Sequence, residues 1–149
     1  MKKIDKDKLF KILHFVLNIT WGLPLTLIGA VVALVLICTK HKPKRFGGCI
    51  YFNVGRSWGG LELGLFFILD RHNVVHTRRH EFGHSVQNMI FGPLMIPIVC
   101  IPSAIRYWYR ELKYHRKGVV PPTAYGDIWF EHQADVYGAK YYMLWENNS

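Results

Sequence analysis

Two histidines and a glutamate form the pattern His-Glu-Phe-Gly-His at residues 80–84. In a helix, His80 and His84 share one face, so their imidazole rings can bind a single Zn²⁺. Glu81 projects beside them and can act as a general base. Zinc lowers the pKa of a water molecule that it binds toward about 7, and the carboxylate takes the proton as the water attacks a carbonyl carbon. The pattern therefore predicts metal-dependent hydrolysis, with His80 and His84 as metal ligands.

A third zinc ligand is expected elsewhere, because a catalytic zinc has three protein ligands and one open position. The sequence Glu-His-Gln-Ala-Asp at residues 131–135 supplies candidates. On a helix, Glu131 shares a face with Asp135, which could hold a ligating histidine by its ring N–H. His132 is the alternative ligand, but it points about 100° away from Glu131 and leaves Asp135 without a role.

Two helices must position these residues. Helical spacing predicts the first over residues 75–91, where a Gly-Pro pair ends it. The second is expected to run from Asp127, as N-cap, to about residue 145. Ala134 and Gly138 lie on its ligand face, and their small side chains would let the two helices approach closely.

A β-hairpin is predicted before the first of these helices. Two β-rich runs, at residues 49–54 and 61–69, are separated by a glycine-rich turn. Strands and helices in one short chain favour an α+β fold.

The apolar run at residues 12–39 contains no Asp, Glu, Lys or Arg and can enter a bilayer. As one straight helix it would be about 40 Å long, against a hydrocarbon core of roughly 30 Å, whereas two full spans need about 40 residues. Gly22 and Pro24 predict a kink or reversal in its middle. Lysines flank both ends, which favours a re-entrant helical hairpin with both ends on the cytoplasmic side. A single tilted span and a soluble core helix are the alternatives.

A second apolar stretch, residues 92–105, contains three prolines, which favours a broken or interfacial segment over a regular transmembrane helix. The aromatic and basic residues at 107–110 are typical either of a membrane-interface anchor or of an ordinary amphipathic helix. Residues 113–126 are expected to form a surface loop.

Composition narrows the classes of protein. The chain has 149 residues, of which 50% are hydrophobic and 19% charged, so a single folded domain is expected rather than disorder. The net charge of +9 suits an anionic membrane or nucleic acid. Most basic residues flank the first apolar run, without a recognisable nucleic-acid-binding fold, so the membrane is preferred and no nucleic-acid partner is expected. Three widely spaced cysteines, without a Cys-x-x-Cys pair, indicate neither a disulfide framework nor a cysteine zinc site.

The motifs at residues 80–84 and 131–135 together resemble the gluzincin zinc metallopeptidases. They are similar in particular to the membrane branch that contains the prenyl-protein endopeptidases, the bacterial heat-shock membrane protease and their minimal relatives. The resemblance covers about half of the chain. It implies that His80, His84 and Glu131 bind zinc, that Glu81 is the general base and that Asp135 supports a ligand.

The same family implies that the strand before the active-site helix forms the rim of the cleft and pairs with an extended substrate. Residues 61–69 are the candidate, and a core strand is the alternative. The oxyanion of the transition state also needs a donor. Four side chains are candidates: Arg79, His132, Tyr137 and Tyr141.

The sequence thus predicts a minimal, membrane-associated zinc endopeptidase of α+β fold. Residues 1–45 would form the membrane-anchoring segment, and residues 46–149 a zincin-like metallopeptidase domain with an apolar interfacial segment at 92–105. Its partners would be a peptide or protein substrate near the bilayer and the lipid itself, with no nucleic acid. The expected location is the bacterial inner membrane, with the active site toward the cytoplasm. A non-catalytic, zinc-stabilised membrane protein that binds a partner is the alternative, and oligomeric state is left open.

Five histidines outside the motifs are not expected to bind the metal, although His76, one turn before His80, could flank the cleft. They are His14, His41, His72, His76 and His115.

Overall fold

A computed structural model describes residues 5–146 of the chain, and the fold is α+β, as predicted. The described residues form five helices and four strands. The helices are α1 (Lys6–Ile19), α2 (Leu23–Cys38), α3 (Val75–Phe91), α4 (Ile101–Lys113) and α5 (Trp129–Glu146), and the strands are β1 (Lys44–Phe46), β2 (Cys49–Asn53), β3 (Gly60–Leu63) and β4 (Phe66–Leu69).

The strands form one mixed sheet in the order β1-β2-β4-β3. β1 pairs antiparallel with β2, and β3 pairs antiparallel with β4. Between them, β2 and β4 run parallel, with Ile50 opposite Phe66. β3 therefore lies at one edge of the sheet, and β4 lies inside it.

The predicted hairpin between residues 49–54 and 61–69 is wrong, because the second run is itself a hairpin. The chain reverses at Gly64, whose φ of 74° lies in the left-handed region that favours glycine. A Cβ at Gly64 would also overlap the hydroxyl of Thr26 on α2. Residues 61–63 and 66–69 thus form two strands, and only the second pairs with β2.

The main core lies between the sheet and the helices α3 and α5, and contains Phe46, Cys49, Tyr51, Leu65, Phe67, Leu69, Phe82 and Val86. A second apolar cluster joins α2, β3, α5 and the segment before α4, and contains Leu25, Leu63, Met95, Val99 and Phe130. The main core holds α3 against the sheet through Phe82 and Val86, and the histidine-bearing face of α3 lies toward α5.

The first apolar run is divided into α1 and α2, which are bent by 82° at a short break. The break contains Gly22, where a Cβ would lie 2.5 Å from the Asn88 side-chain nitrogen. Pro24 follows in the first turn of α2, where its missing N–H breaks no helical hydrogen bond. The predicted kink at Gly22 and Pro24 is therefore confirmed.

Within residues 5–146, no single helix has both the length and the apolar composition needed to cross a membrane. Two bent helix pairs meet these criteria jointly: α1 with α2, and Val75–Leu94 with Ile96–Lys117, which meet at 115°. Insertion of either pair into a membrane stays a prediction.

The helix predicted over residues 75–91 is confirmed by α3, and Gly92 ends it with a positive φ of 56°. The next stretch is broken, as predicted: a 3₁₀ turn at Gly92–Leu94 and a π-helical turn at Ile96–Cys100 lead into α4. Residues 107–110 lie in α4.

The predicted surface loop at residues 113–126 contains only two short 3₁₀ turns beyond α4. The predicted N-cap of the last helix is wrong. The Asp127 carboxylate accepts a hydrogen bond from the Ala124 N–H at 2.8 Å and so closes the turn at Tyr125–Asp127. Helix α5 begins only at Trp129, and its first turn includes a hydrogen bond from the His132 N–H to the Ile128 carbonyl.

Candidate active site

Helices α3 and α5 meet at very short range, because glycines face backbone atoms across the contact. A Cβ at Gly83 would overlap the carbonyl oxygen of Ala134, and a Cβ at Gly138 would overlap that of Arg79. The expectation that Ala134 and Gly138 allow close approach is confirmed. Gly83, inside the His-Glu-Phe-Gly-His motif, is a further requirement that the sequence analysis missed.

This contact brings the three predicted metal ligands together. Glu131 Oε2 lies 3.0 Å from His80 Nε2 and 3.2 Å from His84 Nε2, and the two Nε2 atoms are 3.1 Å apart. Glu131 and His84 are buried. His132, the alternative ligand, is exposed and lies outside this group.

The other ring nitrogen of each histidine has its own acceptor. His80 Nδ1 is 2.8 Å from Asp135 Oδ1, and His84 Nδ1 is 2.7 Å from Gln87 Oε1. The amide nitrogen of Gln87 donates to the Phe130 carbonyl at 2.8 Å, so its oxygen is the atom that faces His84. The Nδ1 atom of each histidine therefore carries a proton, which leaves both Nε2 atoms facing Glu131 to bind either a proton or a metal ion.

Three electron-pair donors thus converge within 3.0–3.2 Å of one another, which is unfavourable unless a cation or a proton lies between them. A tetrahedral ion with ligand bonds of about 2.0–2.1 Å places its ligands about 3.3–3.4 Å apart. The donor types and their spacing therefore fit a metal ion, and the group of His80, His84 and Glu131 can hold one.

The protonation of the group agrees with this charge pattern. Burial lowers the pKa of His80, but the carboxylates of Glu131, Glu81 and Asp135 outweigh it and raise that pKa to about 9. Burial opposes ionisation of Glu131 as well, but hydrogen bonds with His80 and His84 hold its pKa well below the usual range. The centre of the group thus attracts positive charge strongly.

Glu131 has a second set of contacts that the sequence analysis missed. Ser103 Oγ on α4 donates to Glu131 Oε1 at 2.5 Å, and the Tyr125 hydroxyl lies 3.1 Å from Ser103 Oγ. These residues leave Oε2 free to face the histidines. Neither Ser103 nor Tyr125 has a fixed spacing to a motif, so no signal in the sequence could have identified them.

Glu81 is buried on α3, and its carboxylate lies against the backbone of Gly60 on β3, where a Cβ would overlap it. Burial raises the pKa of Glu81, although the charges of His80 and His84 oppose the shift. A raised pKa makes the ionised carboxylate a stronger proton acceptor.

A cleft of about 890 Å³ extends from the metal-binding group along β3, between this strand and α4. The expected edge strand over residues 61–69 is correct for its first part only, because β3 lines the cleft and β4 is internal to the sheet. His76 also lines the cleft, 3.5 Å from Asp135, as expected.

The four candidate oxyanion donors lie elsewhere. Tyr137 and Tyr141 pack against the main core, Arg79 is 3.5 Å from Glu146, and His132 is exposed. Two tyrosines do line the cleft. Tyr125 lies near Glu131, and Tyr107 is on α4.

No family model, no curated protein and no solved structure matches this chain. The resemblance to gluzincins therefore depends on residues 80–84 and 131–135 alone, and the function must be argued from the site.

Proposed function

We propose that this protein is a zinc-dependent endopeptidase that acts on extended peptide segments at a membrane surface. The observation that carries the proposal is the group of His80, His84 and Glu131, with buried Glu81 beside it, at one end of a cleft bordered by an edge strand. Such a site combines a place for a metal, a proton acceptor and a surface for a peptide backbone.

The choice of zinc rests on the donor set. Two imidazole nitrogens and one carboxylate oxygen are a ligand set of catalytic zinc, whereas structural zinc sites have four protein ligands. Three converging ligands leave a fourth position, and the cleft supplies access to it. When bound, zinc would supply Lewis-acid activation of a water molecule and of the scissile carbonyl group.

Residues of this chain would transfer the proton, orient the metal ligands and align the peptide. Glu81 would accept a proton at its carboxylate and later release it to the departing amine. Asp135 and Gln87 would hold the two histidine rings in the orientation that directs Nε2 to the metal. The free edge of β3 would align the peptide by backbone hydrogen bonds, and a cleft that follows the strand favours internal cleavage.

Membrane association is supported by the outer surface of α2. Six of its apolar side chains are about half exposed or more: Leu27, Ile28, Val31, Leu34, Val35 and Ile37. A contiguous apolar surface of this kind is typical of contact with lipid or another protein. Lysines at both ends of the α1–α2 pair favour insertion into one leaflet from the cytoplasmic face of a bacterial inner membrane, with the cleft on the same side.

The experiment compares purified wild type with Glu81→Gln. Zinc content is measured by mass spectrometry, and turnover with a library of quenched fluorescent peptides. We expect one zinc per chain in both proteins and loss of turnover in Glu81→Gln, because the amide cannot accept the proton. Glu111→Gln, a carboxylate on α4 paired with His115, is the matched control and should remain active.

Two outcomes would contradict the proposal. The first is a wild type without zinc after supplementation. The second is a zinc-loaded wild type that cleaves no peptide, which would favour the non-catalytic binding module.

A further inference from the structure

Glu62 is a buried carboxyl group in the cleft that the proposed chemistry does not use. It lies on β3 two residues after Gly60, so both face the same side of the sheet. Gly60 contacts the Glu81 carboxylate, which places Glu62 one strand repeat, roughly 7 Å, farther along the cleft. Glu62 lines the cleft and is 5% exposed.

Only one of the two carboxyl oxygens of Glu62 has a hydrogen-bond partner. The N–H of Gly64 donates to Oε1, but Oε2 is buried and has no hydrogen-bond partner. No Lys, Arg or His forms an ion pair with Glu62 anywhere in residues 5–146. A buried carboxyl oxygen without a partner is costly, so a donor from outside the chain would stabilise it.

The groups around Glu62 do not supply that donor. Arg110 lines the same cleft, but its guanidinium group donates to the Thr123 carbonyl. Glu81 from α3 repels it, and Cys100 lies close enough to interact with it electrostatically. The other cleft residues near the second apolar cluster are Leu25, Met95 and Val99. Burial, and then repulsion from Glu81, raise the pKa of Glu62 well above its usual range. The pocket thus combines apolar walls with a carboxyl group that lacks a counter-ion.

We propose that Glu62 lies at the bottom of a subsite that binds a cationic group of the peptide aligned along β3. This inference rests on the proposed function and names its substrate class. The cation is an ammonium or guanidinium group, and it belongs to a residue within about two positions of the scissile bond, because Glu62 is one strand repeat from the residue that contacts Glu81. A lysine or arginine side chain, or a free α-amino group, carries this chemistry.

The test measures binding without turnover. Zinc-loaded Glu81→Gln protein is titrated with labelled peptides that differ only by lysine or norleucine at each position flanking the scissile bond. Each peptide is made with a free and with an acetylated amino terminus. Because Gln replaces Glu81, a remaining preference for a cation cannot come from Glu81.

We expect the lysine peptide to bind about tenfold more tightly than the norleucine peptide at one position, as for a charge-assisted hydrogen bond. In Glu81→Gln/Glu62→Gln this ratio should fall to about one, with binding of the norleucine peptide unchanged. Glu81→Gln/Glu111→Gln is the matched control and should keep the ratio. A lysine preference that survives acetylation assigns the subsite to a side chain. Equal binding of the lysine and norleucine peptides, with weaker binding of both after acetylation, assigns it to the α-amino group.

Equal binding of all peptides, no binding, or a lysine preference that persists without Glu62 would overturn the inference. If the double variant does not fold, the peptide series on the Glu62-containing protein can still overturn the inference, because equal binding of all peptides excludes a cation subsite. Failure of the proposed function is a separate result, recognised by missing zinc or missing turnover in the wild type.

Discussion

Helices α2 and α3 place polar and apolar side chains in opposite ways. α3 buries every residue from 81 to 88, including Glu81, Gln87 and Asn88. α2 instead exposes Leu34, Val35 and other apolar side chains, with exposed fractions between 48% and 64% at positions 27, 28, 31, 34 and 35. Both helices belong to the same small fold, so composition alone does not decide what is buried.

The difference shows that burial follows the available partners. The polar residues of α3 meet polar groups on α1 and α5: Ser85 Oγ lies 2.9 Å from His14 Nε2, and the Asn88 side-chain nitrogen donates to Asn18 Oδ1 at 2.7 Å. Buried polar groups are tolerated when such partners satisfy them. The outer surface of α2 has apolar side chains that meet no comparable partner in the described part of the chain, so these side chains are open to whatever surrounds the protein.

Loss of a metal ligand should have the largest effect, and the quantity affected is the zinc content. Without the metal ion, the charged groups buried at α3 lose the ion that they would bind. We expect one zinc per chain in wild type and almost none in His84→Ala or Glu131→Ala, since two ligands bind zinc far more weakly than three. Mass spectrometry of purified protein measures this. Glu111→Ala is the control, and full zinc occupancy in either ligand variant would contradict the assigned site.

Gly83→Ala should separate α3 from α5. The added Cβ would overlap the Ala134 carbonyl oxygen, and a backbone atom cannot move aside cheaply. We expect the free energy of unfolding to fall by about 2–3 kcal/mol, measured by denaturant titration. In the control, Gly126→Ala, the nearest atom is 3.4 Å away, so a change below about 0.5 kcal/mol is expected. Equal effects of the two substitutions would refute the close contact.

Asp135→Asn should weaken zinc binding without removing a ligand. The carboxylate accepts the His80 Nδ1 proton at 2.8 Å, and loss of such support typically costs about 10–100-fold in metal affinity. Competition with a fluorescent chelator measures the affinity, with Glu111→Gln as the control. Unchanged affinity in Asp135→Asn would mean that α5 contributes only Glu131 to the site.

Val31→Lys tests the outer surface of α2. We expect partitioning onto anionic lipid vesicles to weaken about tenfold, because a charge replaces an apolar side chain that would lie in lipid. Val120→Lys, the same change in the loop before α5, is the control. Val31 is 55% exposed and Val120 86% exposed, so both variants should fold. If both bind vesicles as wild type does, α2 does not face the membrane.

The reactivity of the cysteine thiols should show the same contrast between buried and exposed residues. We expect this effect to be the smallest of those predicted. Cys49 is buried against Ser85, and burial raises the pKa of its thiol to about 12, so almost no thiolate is present at pH 8. Cys38, at the end of α2, is exposed. Brief treatment with N-ethylmaleimide, followed by peptide mass mapping, should modify Cys38 and leave Cys49 intact. Rapid modification of Cys49 would show that the contact between the sheet and α3 opens readily.

The site could be predicted from sequence as far as its signals are local. The spacing of His80, Glu81 and His84 requires a helix, and α3 has the expected bounds. Glu131 follows from the ligand count and from its position on one face with Asp135. Gln87 has a partial signal, because it lies three residues after His84 on the same helix. Ser103 and Glu62 have none, since their roles depend on which elements pack beside them.

The sheet shows the limit more clearly. Alternation and turn residues identify strands, but they do not say which strands pair. The parallel pairing of β2 with β4 depends on the reversal at Gly64 and on the packing of α2 against that turn. Sequence patterns favour antiparallel pairing between neighbouring strands. They therefore did not predict the parallel pairing of β2 with β4.

By itself, the sequence determined the ligand-bearing helices, the break at Gly22 and the α+β class, because each depends on residues within a few positions of one another. Only the tertiary structure decided that Glu131 Oε2 lies within 3.2 Å of both histidines, and that Gly83 faces a backbone carbonyl oxygen of α5. It also decided that Glu62 is left with an unpaired oxygen in the cleft. These features arise between segments far apart in the chain, where packing and the pairing of buried polar groups decide the geometry.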